Sequence, residues 1–443
     1  MLIFFYFNNT ISEVFVKENN IKLPKWRNLD NSAKIFPLSS SRKYSTVFRI
    51  SALLKDAVNP NILKQALEKA LEKYDFFKVK MKKGFFWHYL ETNPLNPIVE
   101  KESDYPCKYI DPIENNGYLF KVTYLKNKIN IDIFHALTDG NSGISFLKEI
   151  LYTYLEMCYP NELKKDSRTF RRLDYSTEDS YLKNYDKRAK PSKTGKRAYK
   201  IKGRKLNSGE VNVTHQIINL EQLKNEVKKY DVTVTQYLTA VLFYSIYKQN
   251  YIKNNGKRPI KICIPVNLKK YFPSKTVSNF FSYITLVGEM NKNKLTAFEK
   301  ILEFVKAEFK SQLTEEEILK TMSNNVKLGT HIFIKPIPLF LKILIVRLAY
   351  IEIRRHTTIT YSNMGRIGII GDYQKYIDKF LILISPEQFE RIKCSSCTFE
   401  NNIVFTFTSL LKNNSIETGF YDFLTEKGID IKFKTENHFY INS

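Results

Sequence analysis

The stretch "KINIDIFHALTDGNSG", residues 128–143, constrains the fold of this chain more than any other. Apolar residues alternate through its first half, which predicts a β-strand with one buried face. The "TDGNSG" half then has the polar and glycine residues that a sharp turn needs before a helix. We therefore expect a strand, a tight turn and a helix, with His135 at the end of the strand.

The alternation also predicts which way His135 points. Ile129, Ile131 and Ile133 share one face of the strand and His135 continues that face, while Phe134 lies on the other. Spacing alone favours a histidine that is satisfied within the core. A ring with an ordinary pKa near 6.5, held by a rigid turn, also suits general base catalysis. The turn shifts our interpretation towards the catalytic role.

Two residues of the turn have expected structural roles. The sequence brings Asp139 back towards the backbone of His135, where a carboxylate can fix the local geometry. Gly140 is predicted to supply a backbone conformation with positive φ.

Length and charge limit the class of protein. The chain has 443 residues, 43% of them hydrophobic, which is enough for two domains with sizeable cores. The net charge of +25 suggests an anionic partner, although heavy use of lysine along the whole chain indicates a general bias for most of it. Basic and aromatic residues do not interleave as in a known nucleic-acid module, so we expect no nucleic-acid partner.

Strand and helix patterns mix in both halves, which predicts an α/β (α+β) protein with mixed sheets and two lobes. The predicted division is an N-terminal lobe over 1–180, a basic linker over 181–209 and a C-terminal lobe over 210–443. Between Lys183 and Lys205 the chain is dense in lysine and arginine and has a single acidic residue. This pattern predicts an exposed linker, and a docking site for an anionic partner is the alternative.

The five cysteines are odd in number and scattered, which favours a reducing compartment and a cytoplasmic protein. Cys394 and Cys397 form one CxxC motif, but no second ligand pair accompanies it. We therefore predict ordinary strand cysteines and no metal site.

The most hydrophobic segment is "IPLFLKILIVRLAYIEI", residues 337–353. Lys342 and Arg347 interrupt it too early for a transmembrane span. We predict a helix that is buried on most of its surface, with a position on a membrane surface as the alternative. The opening "MLIFFYF" is too short for a signal peptide or a span, so no targeting segment is expected.

One resemblance to a known family covers most of the chain. "FHALTDG" resembles the HHxxxDG motif of the chloramphenicol acetyltransferase-like superfamily of acyltransferases. "RNLDNSAKIFP", "TVTQYLTAVLF", "IPVNLKKYFPSKTVSNFF" and "TYSNMGRIG" follow in the order found in bacterial alcohol acetyltransferase-like proteins. The resemblance implies two lobes with an active-site tunnel between them.

The chain departs from the motif at one position, where Phe134 replaces the first histidine. The second histidine, the catalytic base of the family, is present as His135. Because the two positions lie on opposite faces of the predicted strand, we expect the loss to affect packing more than chemistry. The late "DFGWG" motif of the plant members is absent, which argues against that branch.

The resemblance also implies residue roles. His135 would remove the proton of the acceptor while the acceptor attacks a thioester. Asp139 would have a structural role next to His135, and Gly140 would form the turn. Ser362 and Asn363 are candidates for stabilising the oxyanion or lining the tunnel, and the alternative is that they only shape the crossover of their strand. Asn267 and Asn279 would line the tunnel or cap strand ends.

The implied function is transfer of an acetyl or short acyl group from a coenzyme A thioester to an alcohol or amine. No bound cofactor is expected, since acyl-CoA or an acyl-phosphopantetheine acts as co-substrate. The alternatives are a condensation-type domain that takes acyl groups from a carrier protein, or a non-catalytic relative. We expect a monomer whose partners are the small-molecule donor and acceptor.

Overall fold

The computed structural model describes residues 26–42, 45–163, 176–189, 195–291, 295–330 and 336–438. Two separate clusters of buried apolar side chains form the cores of two lobes. This arrangement of mixed sheets and helices confirms the predicted fold class.

The first lobe is built around a five-stranded sheet in the order β12-β2-β7-β6-β5, in which β12 (Ile377–Ile384) comes from the second half of the chain, with a small sheet β1-β4-β3 beside it. Its elements from the first part of the chain are β1 (Trp26–Asn28), α1 (Ile35–Ser39), β2 (Val47–Leu54), α2 (Pro60–Lys73), β3 (Val79–Lys83), β4 (His88–Thr92), β5 (Val99–Lys101), β6 (Phe120–Leu125), β7 (Lys128–Phe134) and α3 (Gly140–Cys158).

The second lobe has a seven-stranded sheet in the order β10-β9-β11-β13-β14-β8-β15. The elements of this part of the chain are α4 (Ser180–Asn184), β8 (Val211–Asn219), α5 (Leu220–Lys228), α6 (Val234–Ile246), β9 (Ile260–Asn267), β10 (Phe281–Gly288), α7 (Phe298–Gln312), α8 (Glu315–Thr330), α9 (Leu339–Arg354), β11 (Ile359–Arg366), β12 (Ile377–Ile384), β13 (Ile392–Phe399), β14 (Asn402–Ser409), α10 (Ser415–Glu426) and β15 (Ile431–His438).

Local sequence signals explain where several helices begin. The side chain of Asn59 accepts hydrogen bonds from the first turn of α2. Thr233 and Gln236 form a capping box at the start of α6. The strand, turn and helix expected after residue 128 are present as β7 and α3, with β7 paired on both sides in the middle of its sheet.

One strand crosses between the lobes. β12 comes from the second half of the chain, yet it pairs antiparallel with β2 of the first lobe. Its residues Phe380, Leu381, Ile382 and Leu383 are all buried, as expected for a strand covered on both faces. The division of the sequence into 1–180 and 210–443 stays a prediction, and β12 adds a strand exchange that it did not include.

Helix α9 corrects the expectation for residues 337–353. We expected a helix buried on most of its surface, but most of its large apolar side chains are exposed. Lys342 and Arg354 are buried instead. The prediction is wrong because a continuous apolar pattern does not say which face of a helix the protein covers.

The basic stretch is not exposed along the whole of its described length. Ala198, Tyr199 and Ile201 are buried in the second lobe, and the Tyr199 hydroxyl lies 2.7 Å from the side-chain oxygen of Asn250. The lysines and arginines between them hid this apolar pattern in the sequence. Residues 190–194 lie outside the described residues.

Cys394 and Cys397 lie on β13, which forms a hairpin with β14. Both thiols are buried, and burial raises the pKa of Cys397 to about 12. These are structural strand cysteines, as predicted. Among the residues that the structure describes, no group of three or more His, Cys, Asp or Glu side chains could hold a metal ion.

Candidate active site

His135 follows β7 directly and lies half-buried at a cavity of about 540 Å³ between the two lobes. The first lobe contributes Phe48, Ile50 and the exchanged strand β12 to the wall, and the second contributes β9 and β11. The volume is in the range of small-molecule sites. The cavity brings together the predicted residues His135, Asp139, Gly140, Asn267, Ser362 and Asn363.

Three aromatic rings hold the imidazole. Phe36 stacks on it with 4.7 Å between ring centroids. Phe48 meets it edge to face at 5.1 Å, and Phe281 of the second lobe lies at 5.3 Å. These contacts restrict the ring to one orientation and remove water from its faces. Phe134 is buried in the core of the first lobe.

Asn279 determines the tautomer of His135. Its amide nitrogen donates to the backbone carbonyl of His135 at 3.0 Å, and a carbonyl can only accept. The amide oxygen therefore faces the ring, 2.9 Å from Nδ1. Because that oxygen is also only an acceptor, Nδ1 must carry the hydrogen. The Nε2 atom is then left with its lone pair, which is the form a general base needs.

Asp30 holds Asn279 in turn. One carboxylate oxygen of Asp30 accepts from the side-chain and backbone nitrogens of Asn279, each at 3.1 Å. The other oxygen accepts from the backbone of Ala33 at 2.7 Å. Burial raises the pKa of Asp30 to about 7, although these donors favour its charged form. The chain Asp30–Asn279–His135 therefore links the two lobes at the site.

The protonation state of His135 also suits a base. Desolvation by its surroundings lowers the pKa of the imidazole below its ordinary 6.5, while Asp139 and Asn279 act in the opposite direction. The neutral ring is therefore the main form at pH 7.

Asp139 acts through the backbone. One of its oxygens accepts from the backbone of Ser142 at 3.0 Å and caps the N-terminus of α3. Its other oxygen lies 3.5 Å from the backbone nitrogen of Phe280 in the second lobe. The neighbouring Thr138 hydroxyl donates to the carbonyl of Val277 at 2.5 Å. The turn after His135 is thus fixed from both sides.

Gly140 is needed for space and not for a special backbone angle. It is the first residue of α3, and positive φ was expected but is not observed. Because α3 begins at this residue, its backbone is helical and not left-handed. A Cβ atom at this position would lie 2.7 Å from the terminal carbon of Met364. The glycine therefore admits the Met364 side chain to the cavity wall.

The remaining predicted residues differ in the hydrogen-bond partners that the protein gives to their side-chain polar atoms. The Asn363 amide donates to the Thr235 hydroxyl at 2.7 Å, and its oxygen accepts from the backbone of Gly365. The Asn267 oxygen accepts from the backbone of Lys269 at 3.0 Å. Ser362 has a weak acceptor beside it, the Met364 sulfur at 3.7 Å. Its hydroxyl is the best placed to serve a ligand.

Sequence reasoning missed the roles of Asp30, Phe36 and Asn279. We expected Asn279 to line a tunnel or cap a strand end, and it instead contacts His135 from 144 positions away. The "RNLD" and "VSNFF" stretches held the signal, because both contain a polar residue next to apolar ones where a buried side chain would need a partner.

In a comparison with known families, residues 173–365 match the family model described as alcohol acetyltransferase. His135 lies before this stretch, while Asn279 and Ser362 lie within it. No curated protein matches the chain.

Solved structures with the same fold cover 90–92% of the chain. Polyketide synthase associated protein 5 from Mycobacterium tuberculosis has a TM-score of 0.58 at 12% identity, over 90% of this chain and 96% of that chain. TRI101 from F. sporotrichioides, complexed with coenzyme A and T-2, has 0.59 at 10% identity, over 92% and 99%. The starter condensation domain of rhizomide synthetase RzmA has 0.52 at 10%, over 91% and 97%.

The chain has the chloramphenicol acetyltransferase-like fold. The family match and these structures confirm the resemblance to the superfamily of that name. At such low identity the structures show the fold alone, so the roles of individual residues depend on the geometry of the site.

Proposed function

We propose that this protein transfers an acyl group from a coenzyme A thioester to an alcohol or amine acceptor, with His135 as the general base. One observation carries the proposal. A neutral histidine, with its Nδ1 hydrogen fixed by Asn279, lies at a cavity that both lobes line. The TRI101 structure is a complex with coenzyme A, which supports a coenzyme A donor for this protein.

The reaction needs no covalent enzyme intermediate. Nε2 of His135 removes the proton from the acceptor as its oxygen or nitrogen forms a bond to the thioester carbonyl carbon. The tetrahedral intermediate then expels the thiolate by breaking the carbon–sulfur bond. The imidazolium returns the proton to that sulfur, so the products are an ester or amide and a free thiol.

The negative oxygen of the tetrahedral intermediate needs a hydrogen-bond donor. We assign this role to the Ser362 hydroxyl, because it faces the cavity with a thioether sulfur as its described partner. Asn363 is held by Thr235 and instead shapes the strand. Asp139 keeps the turn in place and does not contact the reacting atoms.

A screen of acyl-CoA donors with free thiol as the readout tests this function. Acetyl and longer acyl donors are each mixed with short alcohols and amines, and thiol release above the acceptor-free rate is the expected result. Release from acyl groups on a carrier protein, without release from any acyl-CoA, would replace the proposal by the condensation-type alternative. Absence of release from both donor types would contradict acyl transfer.

A further inference from the structure

Helix α9 buries two of its charged side chains and exposes its apolar ones, which is the reverse of an ordinary surface helix. Helices at a protein surface normally cover the core with their apolar stripe. In α9 the amine of Lys342 faces inwards, where it donates to the carbonyl of Phe86 at 3.1 Å and lies 3.9 Å from the ring centre of Trp87. Arg354 is buried in an ion pair with Glu387. The cationic side chains thus attach the helix to the protein.

The outer face of α9 is apolar. Leu344, Ile345 and Leu348 are 59%, 53% and 63% exposed, and their spacing places them on one stripe. Next to the start of the helix, Phe85 and Phe86 project from the turn between β3 and β4, and the backbone of Leu339 donates to the Phe85 carbonyl. We call this surface the α9 face; it consists of Phe85, Phe86, Phe340, Leu341, Leu344, Ile345, Leu348, Ile351 and Ile353.

A basic segment borders the C-terminal end of this helix. The backbone of Ala198 donates to the carbonyl of Arg355 at 2.9 Å. Arg197 pairs with Glu352, and Lys200 donates to the carbonyl of Arg354 at 2.7 Å. Lys196, in the same segment, is exposed and pairs with Glu289 at 3.1 Å. Apolar and cationic groups therefore lie together on one side of the molecule.

We propose that the α9 face docks on the surface of an anionic phospholipid membrane. The apolar stripe would enter the acyl-chain boundary while the cationic rim meets the headgroups, as interfacial helices do. The helix has 16 residues, a length of about 24 Å, so it lies in the interface and does not cross the bilayer. In the described part of the chain, no helix is long and apolar enough for a membrane span.

Charge favours a membrane over a second copy of this chain. Each copy carries a net charge of +25, so pairing two α9 faces would bring two basic rims together. An anionic bilayer can bury the apolar stripe and attract the basic rim at the same time. This inference does not depend on acyl transfer, because its test requires no catalysis.

Vesicle flotation tests the proposal with the full-length chain. The vesicles contain phosphatidylcholine with about one third phosphatidylglycerol, and pure phosphatidylcholine vesicles serve for comparison. The wild-type protein is expected to float with the anionic vesicles and much less with the neutral ones. The triple variant Leu344→Gln, Ile345→Gln, Leu348→Gln should lower the partition coefficient about tenfold or more, because it removes apolar area from the interface.

A matched variant controls for loss of exposed apolar side chains in general. Ile113→Gln, Leu95→Gln and Ile252→Gln change three exposed residues outside the α9 face and should leave flotation unchanged. Equal melting temperatures show that both triple variants are folded. Failure of the wild type to float with anionic vesicles, or equal flotation of the α9 variant, would overturn the proposal. So would a dimer in light scattering that the α9 variant dissociates, with no vesicle binding.

Discussion

At the scale of single residues, Asn279 connects the chemistry to the fold. It donates to the His135 carbonyl and to Asp30, and its oxygen accepts from the imidazole. Without it, neither ring nitrogen would be selected as the base. In the proposed reaction, Asn279 therefore positions His135 and does not itself contact the reacting groups.

Replacing Asn279 by alanine should lower kcat about 10- to 100-fold, since loss of a buried hydrogen-bond partner costs roughly 1–3 kcal/mol. Steady-state thiol release measures the effect. The matched control is Asn115→Ala, which removes two buried hydrogen bonds to the Tyr118 and Phe120 carbonyls in the first lobe. This control should lose stability but keep its rate. An equal loss of rate in both variants would contradict a positioning role.

The pH dependence follows from the lowered pKa of His135. The imidazole must be neutral to accept a proton, so activity is low below its pKa and rises as the pH passes through it. We expect kcat/KM to rise to a plateau with a half-point below pH 6.5. A profile in which the half-point lies above pH 6.5 would show that burial does not dominate.

The sequence allowed His135 to be predicted because strand period and turn chemistry are local signals. The Asp30–Asn279–His135 chain could not be predicted in the same way, since its members are far apart in sequence and meet only when the lobes assemble. A single polar residue between apolar ones indicates a buried partner but does not identify it.

At the scale of elements, the start of α3 holds the turn that carries His135. Asp139 caps this helix and contacts the second lobe through Phe280. The side chain of Asn59 caps α2, away from the cavity. Removing each cap in turn therefore distinguishes an effect on helix stability from an effect on the geometry of the site.

Asp139→Ala and Asn59→Ala should each cost about 0.5–2 kcal/mol of stability, because each removes an N-cap. Thermal melting measures this loss. Only Asp139→Ala should also lower kcat, since the cap at α3 holds the turn that carries His135. Unchanged melting and unchanged rate in Asp139→Ala would contradict the structural role.

Helix α9 shows where element-level prediction fails. Its position and length followed from a run of apolar residues, but its orientation did not. Burial of Lys342 against Trp87 depends on the turn before β4, which the helix pattern does not contain. The same reason applies to Tyr199, whose buried partner Asn250 lies in another segment.

At the scale of the whole molecule, the lobes share β12. The strand covers the edge of β2, and an uncovered edge strand is prone to pair with other chains. The number of lobes could be predicted from length and from the resemblance. The strand exchange could not be predicted, because the apolar pattern of "KFLILI" fits a buried strand of either lobe and does not indicate which sheet it joins.

The shared strand predicts how fragments behave. Residues 1–210 lack β12, and residues 211–443 contain it without its partner sheet. Made separately, each fragment should lack cooperative unfolding in circular dichroism; made together, they should copurify as one complex. Two fragments that each unfold cooperatively as monomers would contradict this dependence.

The central claim is that His135 is the base, and thiol release by His135→Ala with the best donor tests it most directly. Removing a general base typically lowers the rate about 10²- to 10⁴-fold. The control His215→Ala changes a buried histidine of the second lobe, which contacts Thr406, and should retain turnover once folded. We predict a loss in that range for His135→Ala alone. A His135→Ala rate within a few-fold of the wild type would contradict the assignment.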